Sequence, residues 1–225
     1  MPVTEIKNMP VKISDDQVME HLQYNTRHDI SARIRSHIGR AVNEINELIE
    51  PQAVYRILPV DDGAVIDRDR GQLDFNSKNL GKMISDCSSA AVFLTTLGSQ
   101  VDQAVQSNIN TCSHYGYVLN EAAACAVEQT ADYLRKSVNK KLPANEHTTY
   151  RYSPGYCDWH LSEQKKLFDI IPSQKLGVEL SEHCLMNPSK SVSGIMGIYS
   201  SKKKEEILRS ICKNCSKKNC PYRRI

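Results

Sequence analysis

The 225-residue chain has no apolar run approaching the roughly 18 residues that a membrane-spanning helix needs, so no membrane association is expected. It has no G-x-G-x-x-G loop and no P-loop, which removes two common signatures of dinucleotide and nucleoside-triphosphate sites. Its first residues, Met1-Pro-Val-Thr-Glu-Ile-Lys, lack the basic-then-apolar order of a secretory signal, and a cytoplasmic location is the expectation. No Ser-His-Asp or Cys-His constellation stands out, so chemistry by a protein nucleophile is not expected. There are no internal repeats and no low-complexity linker. Aromatic residues other than tyrosine are scarce: three phenylalanines and a single tryptophan, Trp159.

The length suits one domain with a real core and a small appendage. We place the boundary between residues 1–200, an α+β domain, and a basic tail over residues 201–225. The net charge of +3 hides an asymmetry, because residues 202–225 carry +7 and the remainder −4. A basic tail can meet nucleic acid, membranes or an acidic partner. Here it also holds cysteines, which turns the reading away from nucleic acid. Eight cysteines, at 87, 112, 125, 157, 184, 212, 215 and 220, read in a reducing compartment as core thiols or metal ligands rather than disulfides. Cys87, Cys112 and Cys125 fall in or beside apolar text and read as small packing residues.

Ser14-Asp-Asp-Gln17 spells a capping box for a short helix reaching about Gln23. Asp29 is the expected cap of a longer helix, whose Ile30, Ile34, Ile38, Val42, Ile45, Leu48 and Ile49 repeat at helical spacing until Pro51. Ala53–Leu58 reads as a strand, and the turn signal Asp61-Asp-Gly63 before Ala64-Val-Ile66 makes a hairpin. Lys78–Ser85 reads as a short helix and Ala90–Thr96 as a buried strand. Two helices follow, Ser99–Asn108 and the long, alanine-rich Tyr115–Lys141, with Leu119, Ala122, Ala126, Thr130, Tyr133 and Leu134 on one face. Ser162 is the expected cap of a helix closed by Pro172. Leu176–Leu180 and Ser191–Tyr199 read as strands paired through Asn187-Pro188, and Glu205–Cys212 as a last helix. Without a regular βαβ rhythm this mixture favours α+β over a doubly wound sheet.

The most informative segment is Arg151-Tyr-Ser-Pro-Gly-Tyr-Cys-Asp-Trp-His-Leu161. Pro154 extends Ser153 and Gly155 permits a tight turn close to a ligand. Arg151 offers a planar fork for a carboxylate or phosphate, and Tyr156 a face for a flat ring. A surface turn packed by its own aromatics is the competing structural reading.

Arg-x-x-Pro-Gly-Tyr, followed by Met186-Asn-Pro-Ser-Lys-Ser-Val-Ser-Gly194, resembles the activation (reactivation) domain of cobalamin-dependent methionine synthase, most clearly from about Val118 to Tyr199. The resemblance implies a central antiparallel sheet flanked by helices, one of them long, and a site for S-adenosylmethionine. The ligand's carboxylate suits Arg151, and the resemblance places Glu128, in Ala126-Val-Glu-Gln-Thr-Ala-Asp-Tyr-Leu134, on its ammonium. Read from composition alone, Glu128 is a solvated helix glutamate. By the same resemblance the backbone of the Pro154-Gly155 turn reads the adenine. Tyr152 and Ser153 add main-chain contacts, Tyr156 lines the site, and Ser191 and Ser193 match a Ser-x-Ser-Gly motif. The two serines also read as strand hydroxyls bonding local backbone. The family uses a further acidic residue from its N-terminal region, for which Asp15, Asp16 and Asp29 are the candidates here. Cys157 and His160 depart from the family's pattern.

The tail, Cys212-Lys-Asn-Cys215-Ser-Lys-Lys-Asn-Cys220-Pro, has the spacing C-x2-C-x4-C. Three such cysteines suit an iron–sulfur cluster or zinc, with Cys157 or Cys184 as a fourth ligand, whereas a zinc knuckle would miss two ligands. A basic tail with reactive thiols is the plain alternative. The expected function is a methyltransferase component that binds S-adenosylmethionine. With an electron donor it would support reductive methylation of cobalamin held by a partner, methionine synthase or a related corrinoid protein. The alternative is a non-catalytic module that senses S-adenosylmethionine or carries electrons through its tail.

Overall fold

The computed structural model describes residues 2–24 and 30–200. The Asp29 cap, the Glu205–Cys212 helix and the thiols of Cys212, Cys215 and Cys220 lie outside the described residues. In chain order the elements are β1 (Thr4–Ile6), α1 (Asp15–His21), α2 (Ala32–Leu48), β2 (Gln52–Asp61), β3 (Ala64–Asp67), β4 (Gly71–Leu73), α3 (Lys78–Ile84), β5 (Ser89–Thr96), α4 (Gln100–Thr111), α5 (Ser113–Lys141), β6 (His147–Thr148), α6 (Gln164–Ile170), β7 (Glu179–Leu180), β8 (Met186–Asn187) and β9 (Ser191–Tyr199). Short 3₁₀ turns at Leu161–Glu163 and Ser173–Leu176 flank α6.

The expected α+β architecture is present. A wholly antiparallel sheet runs β4-β3-β2-β5-β9-β6, with β1 paired to β2. Alternation along its central strands divides the core. Val54 and Leu58 of β2, Val92 and Leu94 of β5 and Ile195 of β9 pack towards α3 and α6, with Trp159, Leu167 and Ile170. Ala53 and Tyr55, Ala91 and Phe93, and Met196 and Ile198 face the other way, onto Leu134 and Val138 of α5. This period of two is what a strand covered on both faces requires. The N-terminal half of α5 leaves the sheet and forms a helical layer with α1, α2 and α4 around Ile45, Leu97, Leu119 and Ala122. None of the described helices is long and apolar enough to cross a membrane.

Local signals account for most boundaries. The Ser14 hydroxyl accepts from the Gln17 N–H while the Gln17 side chain accepts from the Ser14 N–H, so the capping box forms as spelled. The long second helix begins later than expected. Ser31, whose hydroxyl accepts from the Ile34 N–H, is its cap, and Ile30 precedes the helix. The hairpin β2–β3 turns at Asp62-Gly63 as read.

Two expectations are corrected. His160, not Ser162, caps the turn into α6, because its Nδ1 accepts from the Ser162 N–H at 3.2 Å. The segment before Pro188 does not pair with β9. The two-residue β7 pairs with β8, while β9, apolar on both faces, takes the internal place between β5 and β6. Only a long strand with two buried faces can satisfy two neighbours there.

Candidate functional site

After β6 the chain runs extended beside β9. Tyr152 and Ile195 exchange both backbone hydrogen bonds, each 2.9 Å. Successive residues of this stretch point to opposite sides of the sheet, and the two sides differ in kind.

Tyr152 faces α3 and α6. Its ring stacks on buried Trp159, centroids 5.8 Å apart and nearly parallel, and Trp159 meets Phe75 edge-on. The Tyr152 hydroxyl lies 3.2 Å from both the Tyr156 carbonyl and an Asp158 carboxylate oxygen. Asp158 also accepts from the Ser77 hydroxyl at 2.8 Å and the Asn79 N–H at 3.0 Å, tying the turn to the start of α3. Burial alone would raise the Asp158 pKa. The bonds from Asn79, Ser77 and Tyr152 outweigh it and hold the carboxyl below its ordinary value. Burial, with Cys157 and Asp158 adding, pushes the Tyr152 hydroxyl well above the usual tyrosine range. Inside the turn the Gly155 N–H donates to Trp159 and the Tyr156 N–H to Ser153, and Gly155 sits at a φ of +92°. The turn is therefore packed by its own aromatics, with Tyr156 half-buried and Cys157 exposed at its rim.

Arg151 faces the other way, onto α5, with a side chain only 2% exposed. Its guanidinium is shared between Glu128 and Asp132, one helical turn apart. Burial disfavours the charge, but the carboxylates of Glu128 and Asp132 outweigh it and hold the arginine pKa above its ordinary value. Among the described residues the buried Nε of Arg151 and the buried hydroxyl of Ser153 have no hydrogen-bond partner. Gly194 lies against the Ser153 hydroxyl and the backbone before it, since a Cβ there would stand 2.5 Å from the Tyr152 carbonyl and 2.8 Å from the Ser153 hydroxyl. Burial first, and then the charges of Glu128 and Glu20, push the buried Cys125 thiol of α5 up to about 11. Neither Glu20 nor Asp132 was singled out from the sequence. The four-residue spacing from Glu128 on one helical face was the available signal for Asp132.

The residues expected to form one site are thus divided. Arg151 and Glu128 come together on the α5 face, and Ser153 points to the same side two residues on. Ser191 and Ser193 lie on the other face. The Ser191 hydroxyl is 2.9 Å from the Thr96 hydroxyl and 2.8 Å from the Pro188 carbonyl, and Ser193 donates to Gln164 of α6 at 3.1 Å. Ser191 thus bonds local backbone, as its alternative reading has it, whereas Ser193 bonds a side chain 29 residues away in the sequence. The main-chain N–H and C=O of Tyr152 are likewise engaged, by Ile195. Asp15 and Asp16 open α1, and His160 has the capping role described above. Among the described residues no three His, Cys, Asp or Glu side chains are grouped to hold a metal ion.

Residues 74–207 match the family described as vitamin B12 dependent methionine synthase, activation domain. A search of curated proteins finds no match. Among solved structures, the crystal structure of the MetH reactivation domain bound to AdoHcy superposes with a TM-score of 0.63 at 14% identity, covering 90% of this chain and 80% of that one. At that identity the likeness bears on the fold alone. The family match spans more than half of the sequence, from just before α3 to beyond β9, and on it the chain belongs to the activation-domain family of vitamin B12-dependent methionine synthase.

Proposed function

We propose that the chain binds S-adenosylmethionine at the Arg151–Glu128 cluster and presents its methyl group to the cobalamin of a partner methyltransferase, methionine synthase or a related corrinoid protein, in the presence of an electron donor. The observation that carries this reading is a nearly buried arginine held by two helix carboxylates, next to a buried serine hydroxyl with no partner among the described residues. A zwitterion matches that arrangement. Its carboxylate competes with Glu128 and Asp132 for the Arg151 fork, and its ammonium takes up a carboxylate so released. Ser153 supplies a hydroxyl that has no hydrogen-bond partner among the described residues, and Gly194 leaves beside it the room that a Cβ would fill. Pro154, Gly155 and Tyr156 form the rim, where a flat ring can lie against the half-buried tyrosine.

Bound S-adenosylmethionine supplies a methyl group on a good leaving group, and the corrinoid receiving it is a substrate carried by the partner. The chain's own residues then have to bind, orient and exclude water, a task that needs no protein nucleophile. No corrinoid-binding Asp-x-His-x-x-Gly signature occurs in the sequence. The tail cysteines Cys212, Cys215 and Cys220 are the candidate holders of an iron–sulfur cluster or zinc; of the two only the cluster would serve the electron requirement, since zinc has no redox chemistry.

Calorimetric titration of S-adenosylmethionine tests the site. The wild type is expected to bind, Arg151→Ala to lose at least about tenfold in affinity through the missing charge-assisted bonds, and Glu128→Ala to weaken binding less. Absence of binding to the wild type removes the reading, and affinity indifferent to both substitutions moves the site elsewhere. Oxidised cobalamin on a partner methyltransferase, with a reductant, then separates reactivation from sensing.

A further inference from the structure

Arg151 holds more negative charge than it needs. Glu128 takes one arm of the guanidinium and Asp132 the other, so one positive and two negative charges leave the cluster at a formal net of −1. Arg135, three residues beyond Asp132 on α5, does not cancel the excess as an ion pair. Its guanidinium lies over the Tyr150 ring, 4.9 Å from the centroid, and among the described residues it has no ion pair with Asp132. Asp132 is also the more exposed of the two carboxylates, with a side chain 40% exposed against 23% for Glu128. Neutralising the buried arginine requires one carboxylate, and the outer one is surplus to that purpose.

We propose that Asp132 determines specificity for charge: it sets the site at a net negative value and so favours the sulfonium ligand over the thioether left after methyl transfer. The inference rests on the ligand reading given above. S-adenosylmethionine carries a carboxylate, an ammonium and a sulfonium, for a net of +1. When the methyl group leaves, the electron pair of the S–CH3 bond stays on sulfur, and S-adenosylhomocysteine carries only the first two charges, for a net of zero. The site and the methyl donor are therefore matched in charge, and the site and the spent product are not. Transfer of the methyl group discharges the attraction that held the donor, which promotes product release from a place where carboxylate and ammonium contacts are the same for both ligands. A charge several ångströms from the sulfonium in a half-buried setting acts at an effective dielectric between those of protein and water, enough for a several-fold preference.

The test is the ratio of two dissociation constants. S-adenosylmethionine and S-adenosylhomocysteine are titrated separately into the full chain, as wild type, Asp132→Asn, Asp132→Ser and Asp132→Glu. Removing the charge is expected to lower the preference for S-adenosylmethionine about fivefold, mainly by weakening that ligand, with Asn and Ser agreeing despite their different shapes. Asp132→Glu is expected to keep the wild-type ratio. Raising the salt concentration is expected to shrink the ratio in the wild type more than in the neutral variants. A residue that merely positions Arg151 would weaken both ligands by the same factor, and an unchanged ratio in Asp132→Asn and Asp132→Ser overturns the proposal. A ratio lost in Asp132→Glu overturns it as well. Failure of the wild type to bind either ligand instead overturns the ligand reading itself, and this inference with it.

Discussion

The two sides of the Arg151–Trp159 segment invite comparison, because one extended backbone serves both. Towards α3 and α6 it presents Tyr152 and Trp159, stacked, packed on Phe75 and anchored through Asp158 to Ser77 and Asn79. Towards α5 it presents Arg151 and Ser153, with charge in place of apolar area. The aromatic side fixes the segment, and the charged side is what it fixes. Exchange of backbone bonds between Tyr152 and Ile195 couples the two, so that Arg151 is delivered to α5 without relying on its own flexible side chain for placement.

The comparison predicts a crossover. Trp159→Ala should be the most damaging change to stability, by about 3–5 kcal/mol in urea unfolding, because a fully buried indole and its stacking on Tyr152 are lost together. Ligand affinity of the protein that remains folded should change far less than in Arg151→Ala. An equal loss of affinity in the two variants would show that the sides cannot be separated.

The next effect probes the wall between them. A methyl group at Gly194 would press on the Tyr152 carbonyl and the Ser153 hydroxyl at 2.5 and 2.8 Å, and one of those contacts is backbone. Gly194→Ala should therefore cost about 1–3 kcal/mol by overpacking, and it should weaken the ligand more than Trp159→Ala does, because Ser153 is displaced. Thermal unfolding and titration of the same variant check both parts. A destabilised protein with unaltered affinity would place Ser153 outside the site.

These two faces were unequally legible in the sequence. The Pro154-Gly155 turn, the long helix and the period-two strands follow from local chemistry, and so did the α+β class. Arg151 stands out by its own chemistry, whereas Glu128 follows only from a resemblance, since a helix glutamate and a loop arginine carry no local signal of their pairing. Ser191 and Ser193 were grouped with them by motif, and the alternation of β9 carries the two serines to the opposite face. Asp132 was missed because it gains its meaning only when Arg151 arrives from 19 residues later in the chain. The cap by His160 was missed for a related reason, because a ring nitrogen accepting an N–H two residues on is indistinguishable in sequence from a chance histidine.

The smallest effect concerns Asp158, which joins the aromatic side to α3, and its sign follows from its bonds. The carboxylate accepts from the Asn79 N–H and the Ser77 hydroxyl, with the Tyr152 hydroxyl also within reach, and these outweigh burial to lower its pKa in the folded chain. A folded pKa below the unfolded one adds stability at neutral pH, and that contribution begins to disappear as the pH falls to the ordinary aspartate value, about 4, and is gone only below the lowered folded value. Asp158→Asn should cost about 1 kcal/mol at pH 7, the low end for charge-assisted bonds because the residue is largely exposed. Its urea midpoint should then fall less steeply than that of the wild type on acidification, so that the two curves converge only below the lowered folded value of Asp158. Curves that stay parallel would mean that the turn is held by aromatic packing alone. Asp158 would then matter for where α3 begins and not for how Arg151 is presented to α5.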